Sequence, residues 1–441
     1  MKWQIRAVVW TFLLCMRACF GFSDVNVHDF GAAGDGSTDN TKAFQTALNE
    51  AGKTGTVVHV PAGKYRFDGT LIIPTSVTLK GVFEGPHWPD NKRGTVLLIY
   101  AGRDNVDSNP FITLNLNSTV KGLTLYYPEQ KLSDVRPYPW TIQQKGARAN
   151  MIDLLIANTY MGIDCGTFTG VGHHLRNIDM CALKKGIYID RCFDIGRVEN
   201  VHIHPASWIF SEGETSRELH DYMLENLEGF IIGRTDWEYM VNCFVILSKY
   251  GFHFIETPLR PNEKRGIVDG GNMLITQSGS DLGTHAVFVE KVQYHAGIAF
   301  ENCQFFPGFL INEGNKGPIK ITNCGFFGVP TEENTILNKG TGALFFTSCH
   351  FTSFDDPRFR PDVRFNEKWP LIKMMNGTLH MTACHFQDKD HLRATGREYN
   401  PEYHIHLGEN VTSAVIMGNS VQGGELKIDN KSKGNVQIIG N

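Results

Sequence analysis

Short apolar runs bounded by glycine and polar residues recur along most of the chain. Apolar and polar positions alternate within them, as at residues 152–154, 178–180 and 201–203. Alternation over a few residues is typical of a β-strand with one buried face, and boundaries this frequent leave little room for helices. The pattern therefore predicts an all-β protein of many short strands.

Cysteines mark a repeated position in the second half of the chain. Five of them lie in similar settings, after a polar or small residue and just before a phenylalanine: Cys243, Cys303, Cys324, Cys349 and Cys384. The spacing between the later cysteines varies around roughly two dozen residues. A repeat of this length indicates stacked structural units. Because a free thiol packs as a small hydrophobe, we expect these cysteines at one inward position of the repeat and not in disulfides.

A second repeated position is occupied by asparagines: Asn177, Asn200, Asn242, Asn302 and Asn323. Asparagine tolerates an unusual turn angle and bonds to its own backbone, so these residues predict a ladder of turns. Equivalent residues in stacked parallel strands lie about 4.8 Å apart. The predicted fold is a single right-handed parallel β-helix domain over residues 23–441.

One helix is predicted near the beginning of this domain. Residues 38–41 supply capping side chains, and Phe44 and Leu48 belong to an apolar stripe that ends at Gly52. The open end of a solenoid must be covered, so we expect an N-terminal capping helix on the first coil.

The first residues have the pattern of an export signal. Lys2 and Arg6 precede an apolar run at residues 7–16 that is too short to span a bilayer. We therefore predict a signal peptide over residues 1–22 and a secreted or periplasmic protein. We expect no membrane insertion, because no later segment has the ~20 apolar residues that a membrane helix needs.

The charge balance argues against one class of partner. The chain has 42 basic and 46 acidic residues, a formal charge of −4. Removing Lys2, Arg6 and Arg17 with the signal peptide leaves 39 against 46, or −7, and no basic cluster remains. We therefore expect no nucleic-acid partner. The sequence makes no prediction about the oligomeric state.

Residues 27–45, which include Asp35-Gly36-Ser37-Thr38-Asp39, and residues 57–65, which include Pro61-Ala62-Gly63, closely resemble the N-terminal segment of the pectate lyase superfamily. More narrowly, they resemble its rhamnogalacturonase and epimerase-like branch of pectin lyase-like β-helix proteins. The resemblance implies a carbohydrate ligand. It leaves the reaction open, because hydrolases, lyases, epimerases and viral tailspikes share this structural segment.

Polygalacturonase relatives carry Asn-Thr-Asp, Asp-Asp, Gly-His-Gly and Arg-Ile-Lys motifs, none of which occurs at a matching position. Gly172-His173-His174 is a partial match, and we expect Asp355-Asp356 to lie in a solvated turn. The arginine motif of the classical pectate lyases is also absent. No family residue roles can therefore be transferred.

One candidate site follows from aligning the asparagine turns. The alignment places Asp179, His202 and Phe244 in one outward column. It puts Asp153 in the same column one coil earlier. Carboxylates raise one another's pKa and an imidazole carries protons, so this column could perform acid/base chemistry or hold a cation. The alternative is an exposed polar face without a role, because outward positions of a β-helix are polar by default.

A second candidate site lies at residues 234–239. In an extended segment, Asp236 and Glu238 would share one face with Arg234. The carboxylates could then act as acid and base while the guanidinium binds a uronate and Trp237 stacks on a sugar. The alternative is a structural bend with a buried tryptophan and salt-bridged acids.

Residues 205–233 leave the repeat, and residues 216–228 predict a surface helix with Leu219, Tyr222, Met223 and Leu227 on one stripe. This helix and Trp208 could wall a groove above the Asp179 column, or could simply cover apolar coil surface. Arg197 and nearby lysines could attract an anionic glycan.

Together these features favour an exported enzyme that cleaves a uronate-containing polysaccharide by glycoside hydrolysis. The predicted catalytic residues are Asp179, His202, Asp236 and Glu238, and the predicted substrate-binding residues are Asp153, Arg197, Trp208, Arg234 and Trp237. One alternative is a polysaccharide lyase acting by β-elimination, for which Ca²⁺ would be the cofactor; otherwise no cofactor is expected. The other alternative is a non-catalytic glycan-binding protein. No metal site is predicted, since neither His-x-His pair has an evident third ligand.

Overall fold

A computed structural model of the protein describes residues 24–83, 93–212, 216–261, 263, 268–328, 335–352, 366–387 and 401–441. The predicted signal peptide and the Asp355-Asp356 pair lie outside the described residues. In this part of the chain, no helix has both the length and the apolar character needed to cross a membrane.

Regular structure in the described residues is mostly β-strand. Three α-helices occur among these residues, α1 (Thr41–Ala51), α2 (Ala206–Glu212) and α3 (Ser216–Asn226), with a 3₁₀ helix at Val27–Phe30. The described strands are β1 (Val25–Asn26), β2 (Asp35–Asp39), β3 (Val57–His59), β4 (Gly63–Phe67), β5 (Leu71–Ile73), β6 (Thr78–Lys80), β7 (Thr95–Ile99), β8 (Ile112–Leu114), β9 (Thr119–Tyr126), β10 (Trp140–Gln144), β11 (Asn150–Cys165), β12 (His174–Ile189), β13 (Arg197–Ile203), β14 (Glu228–Ile232), β15 (Glu238–Val241), β16 (Phe244–Ile246), β17 (Tyr250–Phe254), β18 (Met273–Thr276), β19 (Gly279–Asp281), β20 (His285–Val289), β21 (Ile298–Glu301), β22 (Gln304–Phe305), β23 (Phe309–Ile311), β24 (Ile319–Thr322), β25 (Gly325–Phe327), β26 (Ile336–Asn338), β27 (Ala343–Thr347), β28 (His350–Thr352), β29 (Ile372–Thr382), β30 (His385–Gln387), β31 (Ile405–Met417), β32 (Ser420–Val421), β33 (Ile428–Asn430) and β34 (Asn435–Ile439).

These strands pair in parallel, and each coil contributes a segment to each of three faces. In one coil the first face is formed by residues 197–199, the second by residues 201–203 and the third by β14. The first-face segment pairs with β15, the second-face segment with β16 and the third-face strand with β17 of the next coil. This arrangement confirms the predicted all-β, parallel β-helix fold.

Inward positions of the three faces form the core. On the third face, Ile187, Phe230, Phe252, Val287 and Phe309 follow one another in register and are at most 2% exposed. Burying a side chain of this size stabilises the fold by roughly 1.5–3 kcal/mol. A continuous column of such residues therefore holds successive coils together.

The cysteine repeat lies inside the core, as predicted. All eight cysteines from Cys165 onward are buried and free. The backbone N–H of Cys303 donates to Sγ of Cys324 at 3.3 Å, and that of Cys349 donates to Sγ of Cys384 at 3.4 Å. The sulfurs of Cys324 and Cys384 thus each accept a hydrogen bond from the preceding coil.

The asparagine ladder is also confirmed. All five predicted asparagines have φ between 51° and 54°, the left-handed region that asparagine tolerates. Their amides bond from coil to coil: Nδ2 of Asn242 donates to Oδ1 of Asn200 at 2.9 Å, and Nδ2 of Asn200 donates to Oδ1 of Asn177 at 3.0 Å. The side chains therefore link the turns in addition to the backbone pairing.

Asp153 begins this ladder, which corrects its predicted position. It has φ of 54° and accepts a hydrogen bond from Nδ2 of Asn177 at 2.9 Å. Leu155, not Asp153, pairs with Asp179. The expected column was displaced by two residues because Asp153 occupies the turn position that asparagine fills in later coils.

Helix α1 lies where the apolar stripe predicted it. Phe44 packs edge-on against Phe67 and Tyr65, with ring centroids 4.9 Å and 5.3 Å away. Asp39 rather than Asn40 supports its first turn, because Oδ1 of Asp39 accepts from the backbone N–H of Thr41 at 3.0 Å. Its function as an end cap stays a prediction.

Candidate active site

Outward side chains on the third face form a half-buried strip of aromatic and charged groups. In one column Lys185, Glu228 and Tyr250 are neighbours in register, and in the next column Tyr188, Ile231 and His253 are neighbours. We call this surface the aromatic strip and define it by Trp140, Lys185, Tyr188, Glu228, Tyr250 and His253.

Tyr188 lies near one end of the aromatic strip with its hydroxyl held in place. The phenol donates a hydrogen bond to Oδ2 of Asp190 at 3.3 Å, and the ring stacks on Trp140 with centroids 6.2 Å apart. Burial, followed by the negative charge of Asp190, raises the pKa of Tyr188 well above its ordinary value. The phenol therefore keeps its proton, which is directed at Asp190.

Asp190 is fully buried and is surrounded by positive and polar donors. The backbone N–H of Arg234 donates to Oδ1 at 2.6 Å, its Nε lies 3.3 Å from the same oxygen, and Nη1 of Arg191 donates to Oδ2. Both guanidiniums also contact Glu263, with Nη1 of Arg234 at 2.9 Å and Nε of Arg191 at 3.5 Å from Oε1. We call these four residues the arginine network.

Gly233 is the residue that allows this close approach. A Cβ at this position would lie 2.5 Å from Oδ1 of Asp190 and 2.4 Å from Oγ1 of Thr257. Any larger residue would push the arginine network apart. The loop after β14 therefore requires a glycine here.

His253 lies in the aromatic strip between two carboxylates. Its Nδ1 is 2.8 Å from Oε2 of Glu228, and its Nε2 is 3.1 Å from Oε1 of Glu290. The ring packs face to face with Phe288, with centroids 4.7 Å apart, and against Tyr250 at 4.9 Å. These contacts fix the plane of the imidazole.

Glu228 stays ionised although it is partly buried. Burial opposes its charge, but the hydrogen bond with His253 and the positive charges of Lys185 and Lys184 hold the pKa of this carboxyl below its usual value. A charged Glu228 orients His253 and keeps the proton on Nδ1, because a carboxylate can only accept hydrogen bonds. By the same rule, Nε2 donates to Oε1 of Glu290 at 3.1 Å, so this nitrogen becomes available for proton transfer only when the contact with Glu290 is broken.

Tyr188 and His253 lie in register on either side of Ile231. They occupy the same outward column two coils apart, which corresponds to about 10 Å of backbone spacing. A phenol and an imidazole thus lie on two sides of Ile231, which is 3% exposed, while His253 is 7% exposed. A saccharide residue placed over Ile231 would have a proton-transfer group at each end.

The predicted second-face site is only partly assembled. Asp179, His202 and Phe244 are neighbours in one outward column, as predicted. Burial lowers the pKa of His202. Trp208 is 1% exposed in α2, so its ring offers no face to a sugar, and Asp153 instead pairs with Lys121 at 3.2 Å.

The side chains of the second predicted site lie in separate surroundings. Arg234 belongs to the arginine network, whereas Glu238 is fully buried with Oε1 2.8 Å from Nε2 of His173. Asp236 accepts from Nδ2 of Asn272 at 3.4 Å. The expected shared face is absent because the chain is not extended here: Trp237 has φ of 58° and its side chain is 60% exposed.

Consequently, the predicted acids do not converge. Asp179 is on the second face, Asp236 is in the loop before β15, and Glu238 is buried. Arg197 is exposed on the first face, where it pairs with Tyr239. None of these four residues adjoins the aromatic strip. Arg234 is linked to the strip indirectly, because Asp190 contacts both Arg234 and Tyr188.

Sequence reasoning missed Tyr188, Glu228 and His253. The sequence does contain a signal for them, a three-residue pattern of a glycine, an inward apolar residue and an outward residue. This triplet recurs at residues 162–164, 186–188, 229–231 and 251–253. Aligning these glycines, as was done for the asparagines, would have placed Tyr188 and His253 in one column.

The comparisons with known proteins agree with this architecture. Residues 24–189 match the family described as rhamnogalacturonase A/epimerase, pectate lyase-like. The predicted family resemblance is confirmed. The pectate lyase-like segment includes Lys185 and Tyr188 but ends before Glu228 and His253. Proteins of this group are carbohydrate-active enzymes whose reactions differ.

Two curated relatives come from Azotobacter vinelandii. Alginate lyase 7 is 44% identical over 70 residues, which is 14% of this chain and 8% of that protein. Mannuronan C5-epimerase AlgE3 is 34% identical over 132 residues, which is 25% of this chain and 7% of that protein. The matched stretches are therefore a small part of these relatives.

Solved structures share the fold at low sequence identity. The pre-mature bacteriophage phi29 gene product 12 superposes with a TM-score of 0.52 at 12% identity, covering 99% of this chain and 59% of that chain. The Agl-KA catalytic domain gives 0.50 at 12% identity, covering 95% and 69%. These similarities bear on the fold alone.

Proposed function

We propose that this protein is an enzyme that acts on a uronate-containing polysaccharide by removing the proton next to the uronate carboxylate. Such a step begins both β-elimination by a lyase and inversion by a C5-epimerase. The observation that carries the proposal is the placement of Tyr188 and His253 on two sides of Ile231. The names of the relatives, an alginate lyase and mannuronan epimerases, point to the same substrate class.

In this mechanism His253 removes the proton. Glu228 accepts from Nδ1, so Nε2 is the atom that takes the proton, once it has given up its own proton and its contact with Glu290. Glu290, whose side chain is 35% exposed against 23% for Glu228, is the contact that a bound sugar displaces. A positioned general base of this type accelerates proton transfer by about 10²–10⁴-fold.

Tyr188 supplies the proton on the other side of the sugar. In a lyase the phenol protonates the departing glycosidic oxygen, and in an epimerase it protonates the opposite face of the same carbon. Lys185 lies in register with Glu228 and offers a positive charge to the uronate carboxylate. Removing the proton places negative charge on that carboxylate, so an adjacent cation lowers the barrier.

Hydrolysis is the second candidate. Glu228 is a carboxyl group of the aromatic strip and Glu290 is a second one that contacts His253, and glycoside hydrolases use such a pair. The imidazole of His253 occupies the space between them, however, where a hydrolase needs the sugar. The acids predicted from sequence lie apart from this surface, which further favours the proton-abstraction chemistry.

The test is incubation of the purified protein with alginate, polygalacturonate and a neutral glucan, each with Ca²⁺ and with chelator. Three products are followed: reducing ends, ultraviolet absorbance of unsaturated uronates, and deuterium entering the polymer from heavy water. Absorbance rising with reducing ends identifies a lyase. Deuterium entering without chain cleavage identifies an epimerase.

Two outcomes would overturn the proposal. Reducing ends without absorbance or deuterium would mean hydrolysis. Binding of a uronate polymer without any of the three products would mean a glycan-binding protein. The neutral glucan controls for specificity, because Lys185 has no carboxylate to contact in that polymer.

A further inference from the structure

A cluster of three potential metal ligands lies in the loops beside the arginine network. His173, Cys192 and Glu238 each offer one ligand atom, and these atoms all lie within 4.8 Å of one another. All three side chains are buried. We infer that this cluster binds a transition-metal ion of the zinc class, independently of the proposed reaction.

The donor set suits such an ion. Imidazole nitrogen, thiolate sulfur and carboxylate oxygen are the ligands that zinc takes in proteins, at about 2.0–2.3 Å. A tetrahedral ion with bonds of this length separates its ligand atoms by about 3.4 Å. His173 Nε2 and Glu238 Oε1 are 2.8 Å apart, so a small opening of this pair would admit the ion.

The hydrogen bonding of the cluster is incomplete. Oε2 of Glu238 and Nδ1 of His173 are buried and have no hydrogen-bond partner. An unsatisfied buried polar atom is costly, and more so when the group is charged. A cation bound by Glu238 would satisfy the free carboxylate oxygen, which the present contacts do not.

The backbone leaves room for the cluster at one glycine. A Cβ at Gly196 would lie 2.3 Å from Oε2 and 2.4 Å from Oε1 of Glu238, and 2.4 Å from Cε1 of His173.

The position of the ligands suggests what the ion does. His173 immediately precedes β12, Cys192 lies in the loop before β13, and Glu238 begins β15. One ion would therefore tie together the connections of three successive coils. Because Cys192 adjoins Arg191 in the chain, the same ion would hold the arginine network against the aromatic strip.

The test measures metal binding by the whole protein. The purified chain is stripped with chelator, dialysed against zinc and analysed by elemental mass spectrometry, and a second sample is loaded with cobalt(II). We expect about one ion per chain and, with cobalt, the charge-transfer absorption of a thiolate ligand. This native measurement needs no variant. A folded protein that retains neither ion would overturn the inference.

Variants identify the ligands. We expect Cys192→Ser to abolish the cobalt charge-transfer band and Glu238→Gln to weaken zinc binding at least tenfold. Cys181→Ser is the matched control, because Cys181 is equally buried but lies outside the cluster. A band that survives Cys192→Ser in a folded protein would also overturn the inference. Both readouts are independent of catalysis, so failure here leaves the proposed reaction intact.

Discussion

The Nδ1 atom of His253 lies 2.8 Å from Oε2 of Glu228, its neighbour on the preceding coil of the third face. An ionised carboxylate at this distance fixes both the orientation of the imidazole and the nitrogen that carries the proton. Glu228 is therefore a positioning residue that acts through His253. The pair therefore fixes which side of the imidazole faces a bound sugar.

We expect Glu228→Gln to lower kcat by about 100-fold or more with little change in KM, because removing the charge misplaces the base without removing a sugar contact. The kcat pH profile should shift as well, since the imidazole loses a charged partner. Steady-state kinetics on the responsive uronate polymer measure both. Glu256→Gln, an exposed carboxylate in the loop after β17, is the control. An unchanged kcat in Glu228→Gln would contradict the assigned role.

Tyr188→Phe tests the proton donor. The variant keeps the ring that stacks on Trp140 but removes the hydroxyl that bonds to Asp190. We expect kcat to fall by about 100-fold or more, while the melting temperature changes little because the packing is conserved. Tyr294→Phe removes the hydroxyl of a tyrosine that is 69% exposed and should behave like the wild type. Equal activity of the two variants would exclude Tyr188 as the donor.

The fold could be predicted from sequence because its signals repeat. Alternation specified the strands, and the recurring asparagines and cysteines specified a turn and an inward position. Each coil contributes the same residue type at these positions for the same physical reason, so a single sequence contains several copies of the evidence. The displaced Asp153 shows the limit, because a carboxylate that replaces asparagine in the ladder was interpreted as a member of the outward column.

The site was harder to predict because its residues differ from coil to coil. Tyr188 and His253 are two coils apart in space but are separated by the whole of α2 and α3 in the chain. Arg234 and Glu238 are close in sequence, yet a left-handed residue between them, Trp237, directs their side chains into different networks. Proximity in sequence was therefore a poor guide to proximity in the fold.

The asparagine ladder gives a prediction about stability. Asn200 accepts an amide hydrogen bond from Asn242 and donates one to Asn177, with φ of 53°. We expect Asn200→Ala to lower the free energy of unfolding by about 2–4 kcal/mol, from two lost hydrogen bonds and a strained backbone. Asn200→Gly should recover about 1 kcal/mol, since glycine adopts this conformation without strain. Denaturant unfolding measures both, and equal losses would show that backbone strain contributes nothing.

The buried side chain of His204 is expected to make the stability of the fold sensitive to acid. Its Nδ1 accepts the backbone N–H of Ala206 at 2.8 Å, which requires a nitrogen without a proton. Burial, followed by the nearby His202 and His220, lowers its pKa to about 4. An unfolded histidine titrates near 6.5, so the unfolded chain takes up this proton first as the pH falls. Stability should therefore decline between about pH 6.5 and 4, by up to about 3 kcal/mol.

His204→Asn isolates this effect from the other titrating groups of the protein. Asparagine has a side-chain acceptor for the N–H of Ala206 but no proton to gain in this range. We expect the variant to lose less stability than the wild type between pH 7 and pH 5, although its stability at pH 7 is lower because the side chain is smaller. Urea unfolding at the two pH values gives the difference directly. If both proteins lose the same amount, His204 is not the group that makes the fold sensitive to acid.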